Sequence, residues 1–333
     1  MKSVSRRSVL GTGAAAVALF AIGSPRVRAQ EVTRLRFAHT LPESSAFQDG
    51  AMRLAEEVKE RSNGALEIQI YSNGVLGNDP TIVNAVRGGS LDLCVCGNSY
   101  FSSLLPKLSL LDVPFLLQDR AHIDAVFDGP IIEQLREEFL PIGLKSIGNF
   151  EIGWRNVTNN VRPIREPADL EGLKIRTQPS PPDIKAWELL GAVPTPMAFS
   201  ELFTALELGA VDGQENPITL ILDAKFYEVQ THLSLTQHSY TSGQAVMNLA
   251  RFESLTPELQ AIMVEAGKQA SRLQRQANAD RIADSVEKLK EHGMQVVEDI
   301  DAAPFREIVA QVKADYAAQY GSDLVDQIAA AAE

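Results

Sequence analysis

Cysteine and histidine are scarce: Cys94 and Cys96 are the only cysteines, and there are five histidines in 333 residues. So few histidines form no coherent acid/base cluster. The chain also lacks a Gly-x-Ser-x-Gly elbow, a His-Glu-x-x-His helix, a Walker loop and a dinucleotide fingerprint. No catalytic residue, metal site or cofactor is therefore expected. Positive charge is short as well, with 31 Lys and Arg against 43 Asp and Glu. A body of net charge −12 is a poor partner for nucleic acid or an anionic lipid surface. Cys94 and Cys96 fall on an apparent strand. Side chains two apart on a strand share a face, with Cα atoms ~6.5 Å apart and parallel Cβ vectors. They read as free, buried, small apolar residues, the alternative being a strained redox pair. A metal would need more ligands than these two.

Long apolar runs are missing too, once the N-terminus is explained. Ser5-Arg6-Arg7-Ser8-Val9-Leu10 is a twin-arginine pattern, followed by an alanine-rich apolar stretch from Val9 to Ile22 and a cleavage-like Val27-Arg28-Ala29. A charged start, a short apolar middle and a small-residue exit make a signal peptide. The stretch is shorter than the ~20 residues that span a bilayer. Residues 1–29 are thus expected to direct export to the periplasm by the twin-arginine route. They carry five positive charges and no negative one, so the net charge of −12 becomes −17 without them.

What is present is an α/β chain, 45% hydrophobic and 22% charged, long enough for two domains. Residues 33–39 alternate as a first strand and end on His39. Ser44 or Ser45 caps a helix running to Arg61, with Met52, Leu54, Ala55 and Val58 inward, closed by Asn63-Gly64. Strands over 66–71 and 91–96 enclose a helix containing Ile82, Val83 and Val86. Strand–helix alternation of this kind argues a parallel sheet covered by helices. Residues 143–150 and 152–158 read as two consecutive strands. A turn at Asp169 and Gly172 feeds a short strand, Leu173 to Arg176. Thr256-Pro257-Glu258 is a strong helix start. With no proline before His292-Gly293, roughly 36 residues make a helix of ~54 Å. Its apolar stripe runs Leu259, Ile262, Ala266, Ala270, Leu273, Ala277, then jumps five to Ile282. That jump predicts a buried face that switches sides midway, as a span across two domains requires. The alternative is one helix curving around a single core. Met294 to Val297 and a helix over 303–320 end the chain.

Ligands of open α/β sheets bind at the carboxyl ends of strands. Arg176 sits at one, and a guanidinium there presents a rigid fork that fits a carboxylate. Arg155 can add a second charge contact, or pair with Glu151 on the surface. The Asn216 amide can donate or accept, or simply serve a turn before Pro217. Phe199 can stack on a ligand's flat face or join the core. His39, Asn98 with Ser99, and His238 through water are weaker candidates, and Trp187 reads as core. Two arginines with an amide favour an acid-binding site.

Three segments, in order, carry a family resemblance: Asp169-Leu170-Glu171-Gly172-Leu173-Lys174-Ile175-Arg176, Pro194-Thr195-Pro196-Met197-Ala198-Phe199-Ser200-Glu201, and Ala210-Val211-Asp212-Gly213-Gln214-Glu215-Asn216-Pro217. With Arg155 in Gly153-Trp154-Arg155-Asn156-Val157-Thr158-Asn159, the chain resembles the solute-binding proteins of tripartite ATP-independent periplasmic (TRAP) transporters, DctP type. The resemblance implies a two-lobed periplasmic-binding-protein fold (type II-like), each lobe a mixed sheet flanked by helices, joined by crossing strands and sharing the long helix. The lobes would comprise 30–152 plus 241–281, and 153–240 plus 282–333. It implies closure around a small organic acid, a sugar acid being one candidate, and delivery to small and large TRAP membrane subunits. Arg176 would form the selecting salt bridge, Arg155 and Asn216 would support it, Phe199 would pack on the ligand, and His238 would join the cleft's water network. Where sialic-acid binders carry an acidic residue after the third strand, this chain has Gly97-Asn98, which argues against sialic acid. Two other roles stay open on residues alone: a ligand sensor that docks on a receptor, and a periplasmic lyase using His39 as base.

Overall fold

The computed structural model describes residues 32–332; the signal-peptide reading of residues 1–29 lies outside them. Nine strands form one mixed sheet: β1 (Thr33–Ala38), β2 (Leu66–Tyr71), β3 (Leu93–Gly97), β4 (Leu144–Asn159), β5 (Lys174–Thr177), β6 (Val193–Pro196), β7 (Gly213–Pro217), β8 (His232–Asn248) and β9 (Gln295–Val297). Their order is β2-β1-β3-β8-β4-β7-β5-β6, with β9 pairing β8. β1 is parallel to β2 and β3, and β5 is parallel to β6 and β7, so each end of the sheet is a parallel wing. The wings flank a central antiparallel pair, β4 and β8. β3 borders β8 over Gly243–Met247, whereas β7 borders β4 over Arg155–Asn159. Each wing therefore grips a different half of the long pair, which is the two-lobed architecture the resemblance implies.

The two strands expected over 143–150 and 152–158 are one. Glu151 pairs across to Ser242 and Gly153 to Thr241 without a chain break. The irregularity read as a boundary is a bulge there, with others at Ser146/Gly148 and Arg155/Val157. Bulges bend a strand without ending it. Gly153 holds φ +124 at this bend, a value that side chains disfavour. The 17-residue β8 has no counterpart in the sequence reading. Eleven consecutive residues at its C-terminal end, from His238 to Asn248, are buried, and many are polar, so no period-two pattern marks it. The first helix runs Ala46–Arg61 with Ser45 as its cap, as expected, but it buries Ala51, Leu54 and Val58 and leaves Met52 57% exposed.

The long helix spans Pro257–Glu291, and Thr256 caps it by accepting from the Leu259 amide. Its buried face does not switch sides. Met263, Ala266, Ala270, Gln274, Asn278, Ser285, Val286 and Leu289 form one continuous stripe at helical spacing, and Leu273 is exposed. The apolar pattern jumps because the middle of the stripe is polar. Ser271 Oγ accepts from the Asn149 amide at 3.0 Å, and Gln274 bonds both the Glu151 amide (2.7 Å) and its carbonyl (2.9 Å). Asn278 Nδ2 donates to Glu151 Oε1 (2.8 Å) and to the Ile152 carbonyl (3.1 Å). These side chains serve strand groups where the bulges interrupt the β4 ladder. On either side the same stripe is apolar: Met263, Ala266 and Ala270 join the core around β1, while Val286 and Leu289 join a second core with Leu202, Leu206 and Phe226.

The helix crosses β4 closely at Gly267. A Cβ there would overlap the Ile147 carbonyl oxygen. Backbone cannot yield as a side chain does, and overpacking costs ~1–3 kcal/mol or more. Gly267→Ala is expected to lower stability by at least about 2 kcal/mol in chemical denaturation. A loss below 0.5 kcal/mol would mean that the helix can shift freely at this point.

Candidate functional site

The carboxyl ends of β1, β3, β5 and β7 bring most of the polar residues singled out above to one region. Arg176, in the last half of β5, is fully buried. Its Nε and Nη2 donate to the Met197 carbonyl at 3.2 and 2.7 Å. Its Nη1 has no partner on the protein. Burial pulls its pKa below the ordinary value, and nearby Arg155 adds to this, against Tyr100, Glu215 and Asp79. An arginine still keeps its charge. The site thus holds a buried cation with an unmet N–H on one edge of its fork.

Arg155 is not at a strand end but inside β4, opposite Pro217 of β7 and Ser239 of β8. It does not pair with Glu151, whose carboxylate goes to Arg120, Tyr240 and Asn278. Its partner is Glu215, which is missing from the sequence-based site. Arg155 Nε bonds Glu215 Oε2, Nη2 bonds Glu215 Oε1 at 2.9 Å and Asn216 Oδ1 at 3.1 Å, and Nη1 bonds Thr241 Oγ1 at 3.0 Å. Nη1 carries two hydrogens, so one remains free to serve a ligand. Burial alone would raise the Glu215 pKa, but Arg155 and His238 bring it down to about 2. His238 Nε2 lies 3.3 Å from Glu215 Oε2, and Nδ1 lies 2.8 Å from Thr236 Oγ1. Burial lowers its pKa, and Glu215 opposes this. Trp187 packs edge-on against the His238 ring at 4.9 Å and is core, as expected.

The remaining candidates divide. Phe199 begins a helix over Phe199–Glu207, packs edge-on against Phe226 and touches both the β1 core and the second core. Asn98 is fully buried, but its amide is engaged on the protein. Nδ2 donates to the Leu108 carbonyl (2.8 Å), and Oδ1 accepts from Gln244 (3.0 Å). His39 bonds Gln48 through Nε2 at 2.8 Å, lies edge-on to Phe47 and leaves Nδ1 unpartnered. Its ring makes no hydrogen bond to Arg176. Thr40 makes the link from β1 instead, bonding Asp79 at 2.9 Å, and the Asp79 charge is felt at Arg176. Cys94 and Cys96 are free and buried.

Four buried acids gather here that the sequence reading did not select. Besides Glu215 they are Asp79, Asp112 and Asp183. Burial pushes Asp79 up to about 6, with Thr40 and Arg176 opposing, and Asp112 up to about 7, with Asn98 and Arg155 opposing. Burial also holds Asp183 well above the usual carboxylate range, reinforced by Glu215 and Asp112. A group whose folded pKa is raised takes up its proton on folding. Stability from Asp79 and Asp112 is therefore gained as pH falls from about 7 toward their ordinary value of 3.8. The Glu215 contribution has the opposite sign and is lost only below 4.5. His39 and His238, both lowered from 6.5 by burial, act the other way below that value, so the acid is read by difference: relative to Asp112→Asn, the ligand-free wild type is expected to gain melting temperature between pH 7.5 and pH 5.5. A difference that does not grow on acidification across this window would sink the assignment.

A wide groove of about 760 Å³ lies elsewhere, between β2 and the first helix. Its cations Arg34 and Lys59 both meet Glu67, at 3.5 and 3.3 Å, and all three side chains are at least one-third exposed. It offers no unpaired buried charge, so it does not compete with Arg176 as a site.

The family described as bacterial extracellular solute-binding protein, family 7 (DctP) matches residues 37–319. The chain belongs to this family. Its members are solute-binding proteins and not enzymes, which disposes of the lyase reading. The 2,3-diketo-L-gulonate-binding periplasmic protein YiaO of Escherichia coli is 39% identical over 271 residues, 81% of this chain and 83% of that one. A TRAP solute-binding protein from Polaromonas, solved with D-erythronate, superposes with a TM-score of 0.87 at 35% identity, covering 90% of this chain and 98% of that one. The sugar-acid-binding protein from Advenella mimigardefordensis, solved with galactonate, gives 0.86 at 32% identity, covering 91% and 98%. This family 7 protein therefore shares its fold with these relatives. Among the described residues no helix is long and apolar enough to cross a membrane.

Proposed function

We propose that this protein captures a small organic acid through Arg176 in the cleft between its two lobes and hands it to TRAP membrane subunits, one small and one large integral protein. The observation that carries this reading is a fully buried guanidinium, anchored on one edge by the Met197 carbonyl and unpartnered at Nη1. A buried cation with an unmet donor suits an entering carboxylate. Arg155 supports the pole with its spare Nη1 hydrogen, Asn216 holds Arg155, Phe199 packs on the ligand, and His238 fixes Glu215. His39 and Asn98 shape the wall from the β1 and β3 side. The lobes are 30–152 plus 241–281, and 153–240 plus 282–333, hinged at β4 and β8.

The names of relatives support the class of ligand: 2,3-diketo-L-gulonate, D-erythronate and galactonate are all acids. Export to the periplasm by the twin-arginine route is part of the same reading and rests on residues 5–29. A ligand that binds only the folded state raises its melting temperature by mass action. A thermal-shift screen of organic acids is the direct test; the reading fails if no acid stabilises the protein or if stabilisation survives Arg176→Ala.

A further inference from the structure

Tyr100 sits in a short turn, Asn98–Phe101, immediately after β3, so it comes from the opposite wing of the sheet to Arg176 on β5. Its side chain is buried, at 9% exposed, yet its hydroxyl has no hydrogen-bond partner on the protein. A buried tyrosine O–H normally finds one. Across the cleft, Arg176 Nη1 is in the same condition.

Both side chains converge on one turn. The Met197 carbonyl takes Nε and Nη2 of Arg176, and two residues on, the Phe199 backbone stands beside the Tyr100 hydroxyl. Tyr100 and Arg176 each lie within reach of the other's charge. The packing is close as well. A Cβ on Gly97, at the end of β3, would stand 3.1 Å from the Gln178 amide nitrogen and 3.6 Å from the Tyr100 ring. Gln178 is two residues past Arg176, so the tyrosine and the chain leaving β5 meet at one point.

The groups around that point are donors. Phe199 opens the nine-residue helix Phe199–Glu207, whose cap position is Ala198, with no side chain to bond the first turn. A helix start carries unmet N–H groups and a partial positive charge. Burial pushes the Tyr100 pKa up, so its hydroxyl keeps a proton to donate. The guanidinium edge can only donate, and a carboxylate can only accept, through either of two oxygens.

We propose that Tyr100 is a carboxylate-binding residue, its hydroxyl donating to the acid group that Arg176 holds, so that one carboxylate is gripped from both wings of the sheet. This rests on the reading in which Arg176 holds the carboxylate. It adds the contact through which the acid group itself, and not only the rest of the ligand, draws the first wing onto the second.

Titration calorimetry with D-erythronate, galactonate and succinate tests it, the tightest binder being carried through every variant. Tyr100→Phe removes the hydroxyl and keeps the ring. It should weaken that acid about tenfold or more, the worth of a hydrogen bond to a charged group. The ligand-free melting temperature should stay the same or rise, because an unserved buried hydroxyl is gone. A double-mutant cycle with Arg176→Lys gives a readout that packing alone would not move. Residues serving one group do not lose affinity independently. The loss on Tyr100→Phe should therefore differ by about threefold or more between the wild-type and Arg176→Lys backgrounds. The proposal is overturned if Tyr100→Phe binds as the wild type does, or if its loss is the same in both backgrounds. Should Arg176→Lys still weaken binding in either case, the arginine reading stands and the tyrosine alone falls. If no probe binds the wild type, both fall.

Discussion

Arg176→Ala should cost the protein its ligand, with affinity falling by roughly two to three orders of magnitude. Truncating one partner of a buried, hydrogen-bonded charge pair costs ~2–5 kcal/mol, and each 1.36 kcal/mol is a factor of ten. Here the cost falls on the bound state alone. Without the ligand, Arg176 is a fully buried cation with one nitrogen unserved, so its removal should leave the ligand-free protein as stable as before, or more so. Arg176→Lys should rescue only in part. An ammonium restores the charge but cannot hold the Met197 carbonyl with two nitrogens while presenting a third to a carboxylate. Calorimetry on the three proteins, alongside their ligand-free melting temperatures, separates loss of the grip from loss of the fold. Undiminished affinity in the alanine variant would end the case for this side chain.

Glu215→Ala should do the reverse and damage the fold first. Arg155 and Glu215 are both fully buried, and the carboxylate meets Nε and Nη2 of the guanidinium. Removing one member of such a pair strands the other, at ~3–5 kcal/mol. The Asn216 and Thr241 oxygens would still contact Arg155, but neither carries charge. Urea denaturation should show the midpoint fall sharply. Acid titration gives a second readout. The wild type loses the contribution of this carboxylate between pH 4.5 and about 2, and the variant has none to lose. A stability change below 1 kcal/mol would show that water already reaches Arg155.

The parts of this site legible in the sequence are those with a local signature. Arg176 could be placed because Leu173 and Ile175 alternate with it and a turn precedes it, so its strand and its exit are both readable. Asn216 came with Gly213 and Pro217 in the same way. Glu215 stands one residue before Asn216 but gives no signal of its own, because a lone acid on a strand carries no sign that an arginine 60 residues away will neutralise it. Asp112 and Asp183 were invisible for the same reason, since their meaning lies in being buried together. The long helix was legible in length and in its cap, but not in its face. A stripe defined by apolar residues stops where Gln274 and Asn278 take over, although those side chains are as buried as leucine. β8 failed on the same ground, being a strand of serine, threonine and glutamine enclosed on both sides.

That polar stretch of the helix bears on how the molecule can move. Where β4 is bulged, its peptide groups are served by the amides of Gln274 and Asn278 and by the Ser271 hydroxyl. Exchanging such a bond for one with water changes free energy by only ~0.5–1.5 kcal/mol. Parting an oily contact of the same size would expose surface at ~25 cal/mol per Å². Bending at these bulges therefore wets side chains that water accepts, while the greasy interiors on either side stay shut. The helix can act as a flexible strap whose weak link is soluble by composition.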